Sequence, residues 1–76
     1  MDLIVYAKYN GCKTFVAFDL ENGCKAGNLI CASTFRNSEQ RQAEVGLQRI
    51  ADDNKNINLV FQLRKTETKQ AVWTSK

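Results

Sequence analysis

The first half of the chain contains three runs rich in β-branched and aromatic residues, and two Asn-Gly dipeptides separate them. The runs cover 3–9, 12–20 and 24–35, with Asn10-Gly11 and Asn22-Gly23 between them. Asn-Gly is the strongest short hairpin signal, because a type I′ turn needs a positive φ at both central residues. The pattern therefore predicts a three-stranded antiparallel meander joined by two-residue turns.

Turns of this length fix which residues lie opposite each other, because loop length sets hairpin register. Tyr6 is expected to face Phe15, and Phe15 to face Ile30. One face of the meander is then strongly apolar and carries Leu3, Val5, Ala7, Val16, Phe18, Leu20, Leu29, Cys31 and Phe35. The other face carries Ile4, Tyr6, Lys8, Lys13, Phe15, Ala17, Asp19, Ile30 and Ala32.

A helix is predicted after the meander. Asn37 or Ser38 can cap its start, and an apolar stripe at helical spacing follows. The stripe consists of Ala43, Gly46, Leu47 and Ile50. A glycine on the apolar stripe suggests that the helix approaches the sheet closely at Gly46.

Apolar residues alternate again after the helix, at Ile57, Leu59, Phe61 and Leu63, which predicts a fourth, half-buried strand. The tail either forms a short fifth strand at 71–74 or extends the fourth. A right-handed crossover places the fourth strand beside the first and parallel to it. The expected fold is one α+β domain covering 1–76, with sheet order 3-2-1-4 and the helix packed on the more apolar face.

This topology resembles the first half of the ribonuclease H fold, and Gln42-Ala43-Glu44 is similar to the Gln-Ala-Glu that opens the first helix of that family. The resemblance implies a nuclease whose carboxylates hold two metal ions. The strand carboxylates of the family would fall near Lys8 and near Gln62 or Leu63. Since none of these residues is acidic, we expect the chain to lack nuclease activity.

The amino-acid composition excludes further kinds of catalytic and metal-binding chemistry. The 76 residues contain no histidine, which removes the commonest general base and the commonest metal ligand. Cys12, Cys24 and Cys31 match no zinc-site spacing and are expected to be reduced thiols; a reactive or metal-binding role is the alternative. We therefore expect no metal, no cofactor and no enzymatic activity. With no membrane-spanning or signal-peptide pattern, a cytoplasmic location is expected.

Two groups of residues are candidate binding surfaces. Ile4, Tyr6, Phe15, Ala17 and Ile30 form an aromatic and aliphatic row on the open sheet face, which is typical of an interface. The alternative is that the C-terminal tail folds over this row.

The second group lies in the C-terminal segment, which is mildly basic within a chain of net charge +3. Its candidate nucleic-acid contacts are Arg64, Lys65, Lys69, Trp73 and Lys76. The alternative is a solvated edge strand whose lysines block aggregation.

We expect a non-catalytic protein-binding module, an inhibitor or adaptor that acts by steric occlusion on a host protein or on a second copy as a homodimer. Small phage and mobile-element proteins that block host defences, such as anti-CRISPR proteins, are of this type. Such a protein acts in the host cytoplasm. The alternative function is nucleic-acid binding through the basic C-terminal segment.

Overall fold

A computed structural model describes residues 2–9 and 11–76 of the chain. The first residue of the predicted Asn10-Gly11 turn lies outside the described residues, as do the side chains of Cys24 and Leu29.

The described residues form a small α+β fold with an antiparallel sheet and one α-helix. The strands are β1 Leu3–Lys8, β2 Val16–Asp19, β3 Cys24–Lys25, β4 Thr34–Phe35, β5 Val60–Lys65 and β6 Ala71–Thr74, and the helix α1 is Gln40–Asp53. Short 3₁₀ turns occupy Leu29–Cys31, Asn37–Glu39 and Lys55–Ile57. In the part of the chain described, no helix has the length and apolar character that crossing a membrane requires.

The sheet is built around β1, in the order β3-β2-β1-β5-β6. β5 pairs with β1 along its whole length. On the other side, β2 pairs with the end of β1 and β4 pairs with its start. Ser33 joins these two halves, because its C=O accepts the N–H of Val5 (3.0 Å) and its N–H donates to the C=O of Phe18 (2.9 Å).

Both hairpin registers differ from the predicted ones by two residues. Tyr6 pairs with Ala17 rather than with Phe15. Asp19 pairs with Cys24, so Asn22-Gly23 lies inside a loop longer than two residues. The Asp19 carboxylate holds this longer loop by accepting the side-chain amide of Asn22 at 2.6 Å. A shift of two residues leaves the paired residues of β2 and β3 on their predicted faces.

The third strand is much shorter than predicted, and this changes the topology. β3 ends at Lys25, and the chain then reverses through the 3₁₀ turn at Leu29–Cys31. The Asn28 side chain stabilises the turn by accepting the N–H of Ile30 at 2.9 Å. The extra reversal means that the chain leaves the helix in the opposite direction, so β5 runs antiparallel to β1. The predicted parallel fourth strand, which the ribonuclease H resemblance shared, is therefore wrong.

The helix starts and packs somewhat differently from the prediction. Its N-cap residue is Glu39 rather than Asn37 or Ser38, and the Glu39 carboxylate accepts the N–H of Arg36 at 3.0 Å. The Asp2 carboxylate accepts the N–H of Asn37 at 3.2 Å, which lowers the pKa of the Asp2 carboxyl.

The core lies between α1 and one face of the sheet, as predicted. Its buried members are Leu3, Val5, Ala7, Phe18, Ala43, Leu47, Ala51, Leu59, Phe61 and Leu63. Phe18 and Phe61 meet edge to face, with ring centroids 5.5 Å apart. Val16 and Cys31, predicted on this face, are exposed, and Ala51 rather than Ile50 completes the buried stripe of the helix.

Gly46 does not mark a close approach of helix and sheet. A Cβ placed on Gly46 meets no atom within 4 Å outside its own helix neighbourhood. The glycine therefore opens a shallow apolar groove, which Leu20, Phe35 and Ile50 line together with other helix residues.

Replacing Gly46 with Ala should stabilise the protein, because alanine restricts the unfolded chain and meets no clash in the folded one. We expect the free energy of unfolding to rise by about 0.5–1 kcal/mol, measured by urea denaturation. Gln42→Ala, on the same helix, is the control and should change stability by only a few tenths of a kcal/mol. A Gly46→Ala protein less stable than the original would contradict the open geometry.

Candidate binding face of the sheet

The face of the sheet away from α1 carries most of the predicted interface row. Ile4 is 6% exposed and Tyr6 is 9% exposed, so both are buried although this face points away from α1. Phe15 and Ala17 are half-buried. Ile30 is 92% exposed and lies on a 3₁₀ turn rather than opposite Phe15. The predicted row therefore reduces to Ile4, Tyr6, Phe15 and Ala17.

The C-terminal tail does not cover this row. Val72 and Trp73 pack against the core on the helix side of the sheet, so the predicted alternative is wrong. The cover is Arg64 of β5, whose guanidinium carbon lies 4.3 Å from the ring centroid of Tyr6 and 5.7 Å from that of Phe15. The Lys8 ammonium lies 5.1 Å from the Phe15 centroid. Cation–π contacts of this kind contribute about 0.5–2 kcal/mol each, more as they are desolvated.

Strand alternation explains why Arg64 reaches these rings. Gln62 and Arg64 are two residues apart on β5 and so share a face. Gln62 pairs with Tyr6 on β1, and Arg64 pairs with Ile4. The antiparallel pairing of β5 with β1 therefore places the Arg64 side chain diagonally beside the Tyr6 ring.

A chain of hydrogen bonds fixes the Arg64 guanidinium in place. Its Nε–H donates to Oε1 of Gln62 at 2.6 Å. The Nε2 of Gln62 in turn donates to Oγ1 of Thr74 on β6 at 3.1 Å. The guanidinium is thus held by its contact with the Tyr6 ring and by the hydrogen bond from its Nε–H to Gln62.

The two terminal amino groups of Arg64 make no hydrogen bond and no ion pair with any described residue. A guanidinium has five N–H donors, and only the Nε–H is engaged. The acid on the same face of β2, Asp19, is occupied by the loop that follows it. Arg64 is therefore a preformed fork whose geometry matches a carboxylate or a phosphate.

The structure separates the residues predicted to bind nucleic acid. Arg64 is on the face described above, whereas Trp73 packs on the helix side. Lys65 alternates with Arg64 along β5 and points to the other face. Lys69 has a φ of 61° at the β5–β6 turn, and the backbone of Lys76 is bound by Gln48. These five residues do not form one surface.

Lys8 was expected on this face without a role in binding, and Gln62 and Thr74 were not predicted as contacts of the site. The sequence could have indicated Gln62, because it precedes Arg64 by two residues on an alternating strand and therefore shares its face. Thr74 had no such signal, because its contact depends on the register of β6 against β5.

The described residues contain no group of three His, Cys, Asp or Glu side chains that could hold a metal ion. Cys12 and Cys31 are exposed free thiols. No protein-family model, no curated protein and no solved structure matches the chain. A proposal for the function therefore depends on the chemistry of the Arg64 fork and of the Tyr6 and Phe15 rings beside it.

Replacing Gln62 with Ala should release the edge of the guanidinium. We expect the Arg64 Nε–H signal in ¹⁵N NMR to exchange faster with water, while stability falls by about 1 kcal/mol or less. Gln70→Ala, on the exposed β5–β6 connection, is the control and should leave the Arg64 signal unchanged. An Arg64 signal unaffected by Gln62→Ala would show that Gln62 does not position it.

Proposed function

We propose that the protein is a non-catalytic protein-binding module whose outer sheet face receives an acidic side chain of a partner protein. We name this surface the Arg64 face and define it by Tyr6, Lys8, Phe15, Gln62 and Arg64. The observation that supports the proposal is the Arg64 fork, which is held rigid and has no acidic partner within the described residues.

The Arg64 face suits a protein better than a nucleic acid. Binding a single strand requires rings on which bases can stack, together with a track of cations for the backbone. Tyr6 is 9% exposed and already covered by Arg64. The remaining cations of the C-terminal segment point elsewhere. One fork beside half-buried Phe15 and Ala17 matches the centre of a protein interface, where aromatic residues and arginine are enriched.

The rigidity of the fork favours tight binding. A free arginine loses side-chain entropy when it pairs, whereas Arg64 is already restricted by Tyr6 and Gln62. A partner carboxylate can accept two parallel N–H donors from the terminal amino groups. Apolar contacts around the fork exclude water and strengthen the pair.

A different protein suits this face better than a second copy. In a symmetric dimer the same patch meets itself, so Arg64 and Lys8 of one copy would approach those of the other. Such like charges repel each other. We therefore propose a foreign acidic partner that the sheet face occludes, as an inhibitor or adaptor does; the anti-defence role expected of such small proteins is one instance.

The test compares three immobilised proteins in nuclease-treated lysate of the source cell: the original chain, Arg64→Ala and Lys65→Ala. Lys65→Ala removes the neighbouring charge from the opposite side of the same strand and serves as the matched control. We expect a stoichiometric partner protein on the original chain and on Lys65→Ala. Arg64→Ala should bind it at least about 30-fold more weakly, since removing one member of a buried charge pair costs about 2 kcal/mol or more.

Equal capture by Arg64→Ala would contradict the proposal. Recovery of nucleic acid from untreated lysate in place of a protein, with binding that weakens steeply as salt rises, would favour the alternative function. Self-association that Arg64→Ala abolishes, measured by analytical ultracentrifugation, would replace the foreign partner with a second copy.

A further inference from the structure

β6 is the last strand of the described sheet, and its outer edge carries unpaired backbone groups. The N–H of Ser75 donates to the C=O of Phe61 at 2.8 Å. Hydrogen-bonded and non-hydrogen-bonded pairs alternate along antiparallel strands. The pair of Gln62 and Thr74 is therefore of the second kind. The N–H and C=O of Thr74 consequently point away from β5, toward the free edge.

Two residues further along the same edge, a side chain takes the place of a neighbouring strand. The N–H of Lys76 donates to Oε1 of Gln48 at 3.0 Å, and Nε2 of Gln48 donates to the C=O of Lys76 at 3.2 Å. One carboxamide thus makes both bonds that the backbone of an added antiparallel strand would make. The free groups of Thr74 lie about 7 Å away along the strand, one pairing repeat distant.

A groove follows this edge between α1 and β6. Its volume is about 620 Å³, and it is lined by Glu44, Val45, Gln48, Arg49, Asp52, Lys55, Trp73 and Lys76. Val45 is 51% exposed, and Trp73 is half-buried beside it. Side chains on the helix side of an added strand would enter this groove.

Three cations and two carboxylates line the groove, so its side chains carry a net charge of +1, which favours acidic over basic side chains in an occupant. Its two carboxylates already accept hydrogen bonds from glutamines one turn earlier, Glu44 from Gln40 at 2.9 Å and Asp52 from Gln48 at 3.2 Å. The side chains of Arg49, Lys55 and Lys76 have no acidic partner within the described residues. These three cations remain available to an occupant of the groove.

We infer that the free edge of β6 binds an extended acidic segment of a partner protein as an additional strand. Thr74 supplies the backbone pairing, Val45 and Trp73 contact an apolar side chain, and the three cations contact acidic ones. A second copy fits poorly, because β6 lies between Lys69 and Lys76 and paired edges would bring these lysines together. The two sites share Thr74, but the edge site uses its backbone, whereas the Arg64 face uses its side-chain hydroxyl, which accepts the Gln62 amide at 3.1 Å.

The probe is an acetylated, amidated eight-residue peptide with threonine at the odd positions and glutamate, valine, glutamate and glutamate at the even positions, titrated into ¹⁵N-labelled protein. The even positions share one face of the added strand, so valine and glutamate enter the groove together. We expect saturable shifts of the Thr74 amide and of neighbouring β6 and α1 signals, without shifts at Tyr6, Lys8 or Phe15. A peptide with lysine in place of glutamate should bind at least ten-fold more weakly. Absence of shifts at Thr74 with millimolar peptide would overturn the inference, as would equal binding of the lysine peptide.

Two pairs of variants locate the site. Val45→Asp places a negative charge in the groove and should weaken binding at least ten-fold, whereas Val16→Asp, on the exposed part of β2, should not. Thr74→Pro removes the outward N–H and should weaken binding by a similar factor, whereas Thr74→Val keeps this N–H and should not. If Thr74→Pro does not fold, the Val45 pair decides the question. Equal binding by both members of the folded pairs would overturn the inference.

Discussion

A single helix can cover only one face of a sheet, and this constraint determines how the other face of the described chain is built. On the covered face, α1 buries Leu3 and Val5 of β1 completely. On the other face Ile4 and Tyr6 belong to the same central strand and also need to be shielded from water. The chain shields Tyr6 with the planar guanidinium of Arg64, which packs against the ring while it remains charged.

The proposed binding site follows from this way of closing the second face. A guanidinium in contact with an aromatic ring still has five N–H donors to offer as hydrogen bonds. Gln62 takes one edge and Thr74 supports Gln62, so the rest of the fork points outward in a fixed orientation. At the sheet edge, a side chain from α1 likewise satisfies backbone groups that a neighbouring strand would otherwise pair, because Gln48 binds both polar groups of Lys76. In both places, the groups left unpaired are suited to a partner of complementary chemistry.

The sequence predicted the parts of this fold that depend on local pattern. The alternation at Leu59, Phe61 and Leu63 placed β5 and its buried face correctly, and the short fifth strand is present as β6. The length of the β2–β3 loop and the position of the next chain reversal were not predicted correctly. The Asp19 carboxylate stabilises a longer loop than Asn-Gly indicates, and the Asn28 turn reverses the chain inside an apolar run. The residues of the Arg64 face were predicted in two separate groups, Tyr6 in the interface row and Arg64 among the nucleic-acid contacts. The two residues meet only through the long-range pairing of β1 with β5.

A charge exchange tests whether the Arg64 fork pairs with a carboxylate of a partner protein. Once the partner is identified, each of its exposed acidic residues is replaced in turn by arginine and tested against the Arg64→Glu protein by calorimetry. We expect Arg64→Glu to abolish binding to the original partner, and one partner variant to restore at least about a tenth of the original affinity. Binding of Arg64→Glu to the unaltered partner, or failure of every partner variant to restore binding, would rule out this charge pair.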